Sequence, residues 1–126
     1  RISLVVALAG AVIAILVAAF VYPKIVPLIL GWPLWQRGMM TALMVAPLGF
    51  FMGMPFPEGI RLVSAHGRDA VPWMWGVNGG ATVLGSVLAI ILAMAANFTT
   101  VFVTAASVYL IALYLYAWRL RTIPAP

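Results

Sequence analysis

Cysteine is absent from this chain, acidic residues number two and histidine one, and each shortage closes off a class of chemistry. Without cysteine there is no disulfide framework, no thiolate metal site and no cysteine nucleophile. Glu58, His66 and Asp69 lie within a dozen residues of one another, but no metal-ligand spacing such as H-E-x-x-H accompanies them, and neither a nucleophile nor a phosphate-binding loop. No catalytic, metal or cofactor site is therefore expected. Charge is scarce in general: 7% of the 126 residues are charged, against about a quarter in a soluble domain. The seven Lys and Arg give a net charge of +5, yet they stand singly between apolar runs. A nucleic-acid partner would call for a basic stripe, which is missing.

What remains is hydrocarbon. With 66% hydrophobic residues and a mean hydropathy of +1.17, the composition implies a polytopic, all-α membrane protein whose first partner is the lipid bilayer. A span needs about 20 mostly apolar residues, because a helix rises about 1.5 Å per residue through a core about 30 Å thick. Four segments qualify: residues 2–22, 39–56, 73–96 and 99–118. Residues 24–38, broken by Pro27 and Pro33, read as an interfacial or re-entrant piece with Trp32 and Trp35 at headgroup level. A second interfacial segment is expected over 57–71. The chain opens on Arg1 rather than methionine, which predicts a processed protein or a piece of a longer one. A signal peptide over 1–18 suits the pattern less well, since the apolar run continues to Tyr22, beyond a signal core of about 7–15 residues.

Only Asn97 and its neighbours part the last two spans, so these form an antiparallel hairpin. Arg1, Arg61, Arg68, Arg119 and Arg121 then fall on one side of the bilayer, and Lys24 and Arg37 on the other. Cytoplasmic loops collect Lys and Arg, so both termini are expected in the cytoplasm, with a bacterial inner membrane as the setting.

Leucine gains little by leaving lipid for another helix, so association depends on close packing at small residues. The third span carries a ridge at spacing four, Val77, Ala81, Gly85, Ala89 and Ala93, with Gly76 and Gly80 as a parallel small pair. Gly49 and Gly53 mark the second span, and Ala7, Ala11, Ala14 and Ala18 the first. These faces predict either packing within a four-helix domain or docking against another membrane subunit. Methionines 39, 40, 44, 52 and 54 read as flexible core fillers. Pro47 removes a backbone donor and predicts a kink, with neighbouring helices satisfying the freed carbonyl.

The densest signals lie between Gly53 and Gly80. Pro55 and Pro57 stop the second span. Pro57 suits the start of a short helix over 58–65, with Glu58 in the first turn and Arg61 three residues on as its ion partner. Ile60, Leu62 and Val63 would turn toward lipid, His66, Gly67 and Arg68 would close the elbow, and Pro72 would open the next span. Asn78, strongly polar inside a span, is expected to bond across helices rather than mark a transport path. No span holds a midmembrane charge, which disfavours a pump or transporter. The run GVNGGATVLG lacks the strand and spacing of a dinucleotide loop.

GMPFPEGIRL followed by PWMWGVNGGATVLGSVLA resembles the C-terminal membrane segment of bacterial spermidine synthase-like integral membrane proteins. The resemblance covers the second half of the chain well and the first two spans only in general pattern. It places Gly53, Pro55, Pro57, Gly59, Pro72, Trp73, Trp75, Gly76, Asn78 and Gly79 at motif positions, read as structural ones; Glu58 falls where the motif varies. It also implies a soluble aminopropyltransferase-like domain, for which this chain has no room. The expected role is thus a non-catalytic anchor or accessory subunit packing against a larger membrane assembly, the alternative being the membrane domain of such an enzyme.

Overall fold

The computed structural model describes residues 4–65 and 70–122, and among these every regular element is helical. The order is α1 (Leu4–Ile29), α2 (Leu34–Gly53), α3 (Pro55–Ser64), α4 (Val71–Ala95) and α5 (Phe98–Thr122). Four stretches are long and apolar enough to cross a membrane: α1, α4, α5, and α2 taken together with α3.

The core is α1. It lies between α5 and α2, and its buried residues Ala7, Leu8, Ala11, Val12, Ile15, Ala18 and Ala19, with Ile29 at its end, recur at the three- and four-residue steps of one helical face. Three of the four alanines expected to form a smooth face, Ala7, Ala11 and Ala18, are fully buried, and Ala14 is half-buried. Elsewhere only Ala106, on α5, is buried among the described residues.

Gly10 marks a close approach to α2. A Cβ added at Gly10 would stand 2.6 Å from Cδ1 of Phe51, so α1 admits the Phe51 ring only because that position has no side chain. Further along, Tyr22 joins three helices: its ring meets Phe102 of α5 edge-on, with centroids 6.1 Å apart, and its hydroxyl donates to the Met44 carbonyl of α2.

That bond does not supply the donor that Pro47 withholds. Lacking an N–H, Pro47 leaves the Leu43 carbonyl without its intrahelical donor. The donor arriving from the neighbouring helix reaches the next carbonyl along, Met44, rather than Leu43 itself.

Two expectations change. Residues 24–38 do not form a separate piece: α1 runs through Pro23 and Pro27 to Ile29, and α2 begins at Leu34, leaving only residues 30–33 outside helix. The prolines stand four apart, so the carbonyls they deprive of donors lie on one face, and an apolar helix packed against neighbours tolerates such losses. The methionines divide: Met39 is 65% exposed and Met52 lies at the margin of the surface, whereas Met40, Met44 and Met54 are half-buried.

The closing hairpin forms between α4 and α5. Asn97 caps α5, its Oδ1 accepting from the Thr100 backbone N–H at 2.9 Å and the Thr100 hydroxyl at 3.1 Å, which satisfies one of the helix's orphan donors.

The elbow between α3 and α4 as candidate functional site

Helix α3 begins at Pro55, two residues before the proline expected to start it, and ends at Ser64. Pro55 and Pro57 fit its first turn because the N–H groups they lack would be unsatisfied there in any case. Arg61 donates to Glu58 Oε1 at 2.7 Å, and Arg61 is largely exposed. Glu58 is the more covered partner, its side chain 20% exposed.

The other side of α3 leans on α4. Phe56 meets Trp75 edge-on at a centroid distance of 5.0 Å, and a Cβ on Gly59 would touch the Met74 methyl at 3.4 Å. Val63 does not turn away from the chain as expected; it joins Phe56, Ala70, Trp73, Met74, Val77, Asn78 and Ala81 in lining a crevice of about 470 Å³. Leu62 is exposed, Ile60 half-buried, and Trp73 78% exposed at the mouth. Pro72 occupies the first turn of α4. His66 and Arg68 lie outside the described residues.

On α4, partial cover is confined to Val71 and Met74 at the start and Ala89, Leu92 and Ala93 near the end. These belong to one face at 3.6 residues per turn, with α3 covering the start and α5 the end. Asn78 and Gly85 stand on the same face, four residues after Met74 and four before Ala89, yet both are exposed, and no atom lies within 4 Å of a Cβ at Gly85. Between its two supports, α4 therefore stands clear of the bundle.

Among the described residues no hydrogen bond reaches the Asn78 side-chain amide, whereas its backbone carbonyl accepts from Thr82 Oγ1 at 2.7 Å. The Ser86 hydroxyl is likewise satisfied within the helix, at the Val83 carbonyl.

The expected packing glycines are open. Positions 49, 53, 76, 80 and 85 would meet nothing within 4 Å, Ala81 is exposed, and only Ala89 and Ala93 gain partial cover. Packing inside this chain uses the smooth face of α1 and leaves those of α2 and α4 unused. The positions that the small-residue pattern passed over are Gly10 and Tyr22. Gly10 was legible as a fifth small residue among the alanines of its span, but its neighbour Phe51 was not.

Comparison with known proteins finds no matching family model, curated protein or solved structure. What the fold defines is the class: an all-α chain with four helices long and apolar enough to cross a membrane. Among the described residues no group of three His, Asp or Glu could hold a metal ion.

Proposed function

We propose that this chain is an integral membrane protein of a bacterial inner membrane, with both termini cytoplasmic, acting as a non-catalytic anchor or accessory subunit that docks a larger membrane assembly. The observation that carries this reading is the outward side of α4. Gly76 and Gly80 stand one turn apart, about half a turn round from Met74 and Ala89, and nothing lies within 4 Å of either glycine's Cβ position. Val83, Val87 and Met94 continue that side, all exposed. Small residues spaced by four let a second helix approach closely where lipid supplies no hydrophobic drive. The orientation is supported by Arg61, Arg119 and Arg121, which gather at the end of the bundle opposite Lys24 and Arg37.

The test is copurification in mild detergent combined with intact mass of the native polypeptide. A stoichiometric partner lost in the Gly76→Leu, Gly80→Leu double variant, with helix content unchanged, supports docking through α4. Partner retention in that variant defeats it. The resemblance to spermidine synthase-like membrane proteins supports a second reading, the membrane domain of a larger enzyme. A native mass well above 13.5 kDa, with an aminopropyltransferase-like domain in the added sequence, would favour that one.

A further inference from the structure

The crevice between α3 and α4 combines three features that no packing role within the chain explains. Its walls are apolar and aromatic: Phe56, Trp73, Met74 and Val77. It holds one strongly polar side chain, Asn78, whose amide has no partner among the described residues. Its lining ends at Ala81, and beyond it the same face of α4 is open at Gly85, where the helix stands clear of the bundle until Ala89 gains partial cover. An apolar space of about 470 Å³ with a single orienting amide falls in the size range of ligand sites between helices.

Depth selects the ligand. Helix α4 has 25 residues and is about 37 Å long, exceeding a hydrocarbon core of about 30 Å, so its ends reach the interface. Asn78 is seven residues beyond Val71, about 10 Å along the axis, and helical side chains lean back toward the N-terminus. Its amide is thereby brought up toward the boundary where glycerol ester carbonyls meet the acyl chains. From Asn78 to Ala89 the open track runs about 16 Å, close to the about 15 Å that one leaflet contributes to the core.

We infer that this crevice is a lipid site, holding one diacyl phospholipid with an ester carbonyl on the Asn78 amide and an acyl chain laid along Ala81 and Gly85. The inference rests on the membrane setting proposed above, but not on partner docking, which uses the opposite side of α4. The amide N–H donates to the ester oxygen, so an otherwise unsatisfied polar group in hydrocarbon acquires a partner. The small side chains at 81 and 85 leave room for methylenes. Phe56, Trp73 and Met74 shape the mouth at headgroup level.

The full chain, reconstituted in vesicles of phosphatidylethanolamine and phosphatidylglycerol, tests this when ester-linked lipids are compared with ether-linked analogues that lack the carbonyl. Native mass spectrometry after mild extraction should find one retained lipid per chain, ester favoured over ether about fivefold, the scale of one hydrogen bond. Asn78→Leu should abolish the preference, and Ala81→Trp, which fills the crevice, should remove the lipid altogether. A photo-crosslinking residue at position 81, with Asn78 intact, should yield a lipid adduct. Equal retention of ester and ether lipids, or a protein adduct in place of the lipid, overturns the inference. Extraction of the chain from vesicles at alkaline pH would instead overturn the membrane setting, so the two failures are distinguishable.

Discussion

Gly10 and Phe51 are fitted to one another: the ring occupies the space that a side chain at position 10 would claim, with 2.6 Å between an added Cβ and the ring edge. Helix α1 is the core of the molecule, so this contact sets how closely α2 can approach it. Gly10→Val should force the ring aside and destabilise the fold by about 1–3 kcal/mol, the usual range for overpacking. Denaturant titration in detergent micelles measures it. Unchanged stability would mean that α2 is free to shift. Phe51→Ala combined with Gly10→Val should recover part of the loss, because the clash is then gone.

Tyr22→Phe removes the hydroxyl from the Met44 carbonyl and keeps the edge-on contact with Phe102. The expected loss is about 1 kcal/mol, in line with hydrogen bonds between membrane helices. Pro47→Ala restores a donor to the Leu43 carbonyl and straightens the local ladder. The two substitutions should be non-additive, since both act on adjacent carbonyls of one turn. A double-mutant cycle that sums within error would separate Tyr22 from the proline.

Asn97→Ala removes the side-chain oxygen that serves two groups of Thr100. A lost N-cap costs about 1 kcal/mol, and here it also loosens the turn that joins α4 to α5. Because α4 has little other support, the effect should appear as faster hydrogen exchange near the start of α5. Asn97→Asp or Asn97→Ser should retain most of the protection, and failure of both to do so would assign Asn97 another role.

Glu58 and Arg61 form a close pair, but Arg61 is 69% exposed, where solvent screens the attraction. Glu58→Gln and Arg61→Gln should each change stability by less than about 0.5 kcal/mol. A loss several times larger would point to a partner for one of these charges beyond the described residues.

What was readable without coordinates followed from composition and period. Four apolar stretches of sufficient length, Pro55 and Pro57 at the elbow, the Glu58 to Arg61 spacing and the two-residue turn at Asn97 are local properties, each set by neighbours within a turn or two. The alanines of α1 were legible as a smooth face for the same reason. The length of α1 was not, because two prolines read as a break until packing against α5 and α2 keeps the helix intact through them. The role of Asn78 was readable only as far as its polarity: that it needs a partner follows from its position in a span, while the absence of one in this chain depends on where α4 stands.

Composition and spacing alone determined that this is an all-α chain with four helices fit to cross a membrane, because backbone groups in hydrocarbon must be satisfied within a helix. Which smooth face is buried was decided only by the tertiary structure. Small residues occur on α1, α2 and α4 alike, and period alone cannot rank them. The three-dimensional arrangement encloses the face of α1 between α2 and α5, fits Phe51 against Gly10, and holds α4 only at its two ends. The physical reason is that close helix approach is a property of pairs of surfaces, and a sequence records each surface without naming its mate.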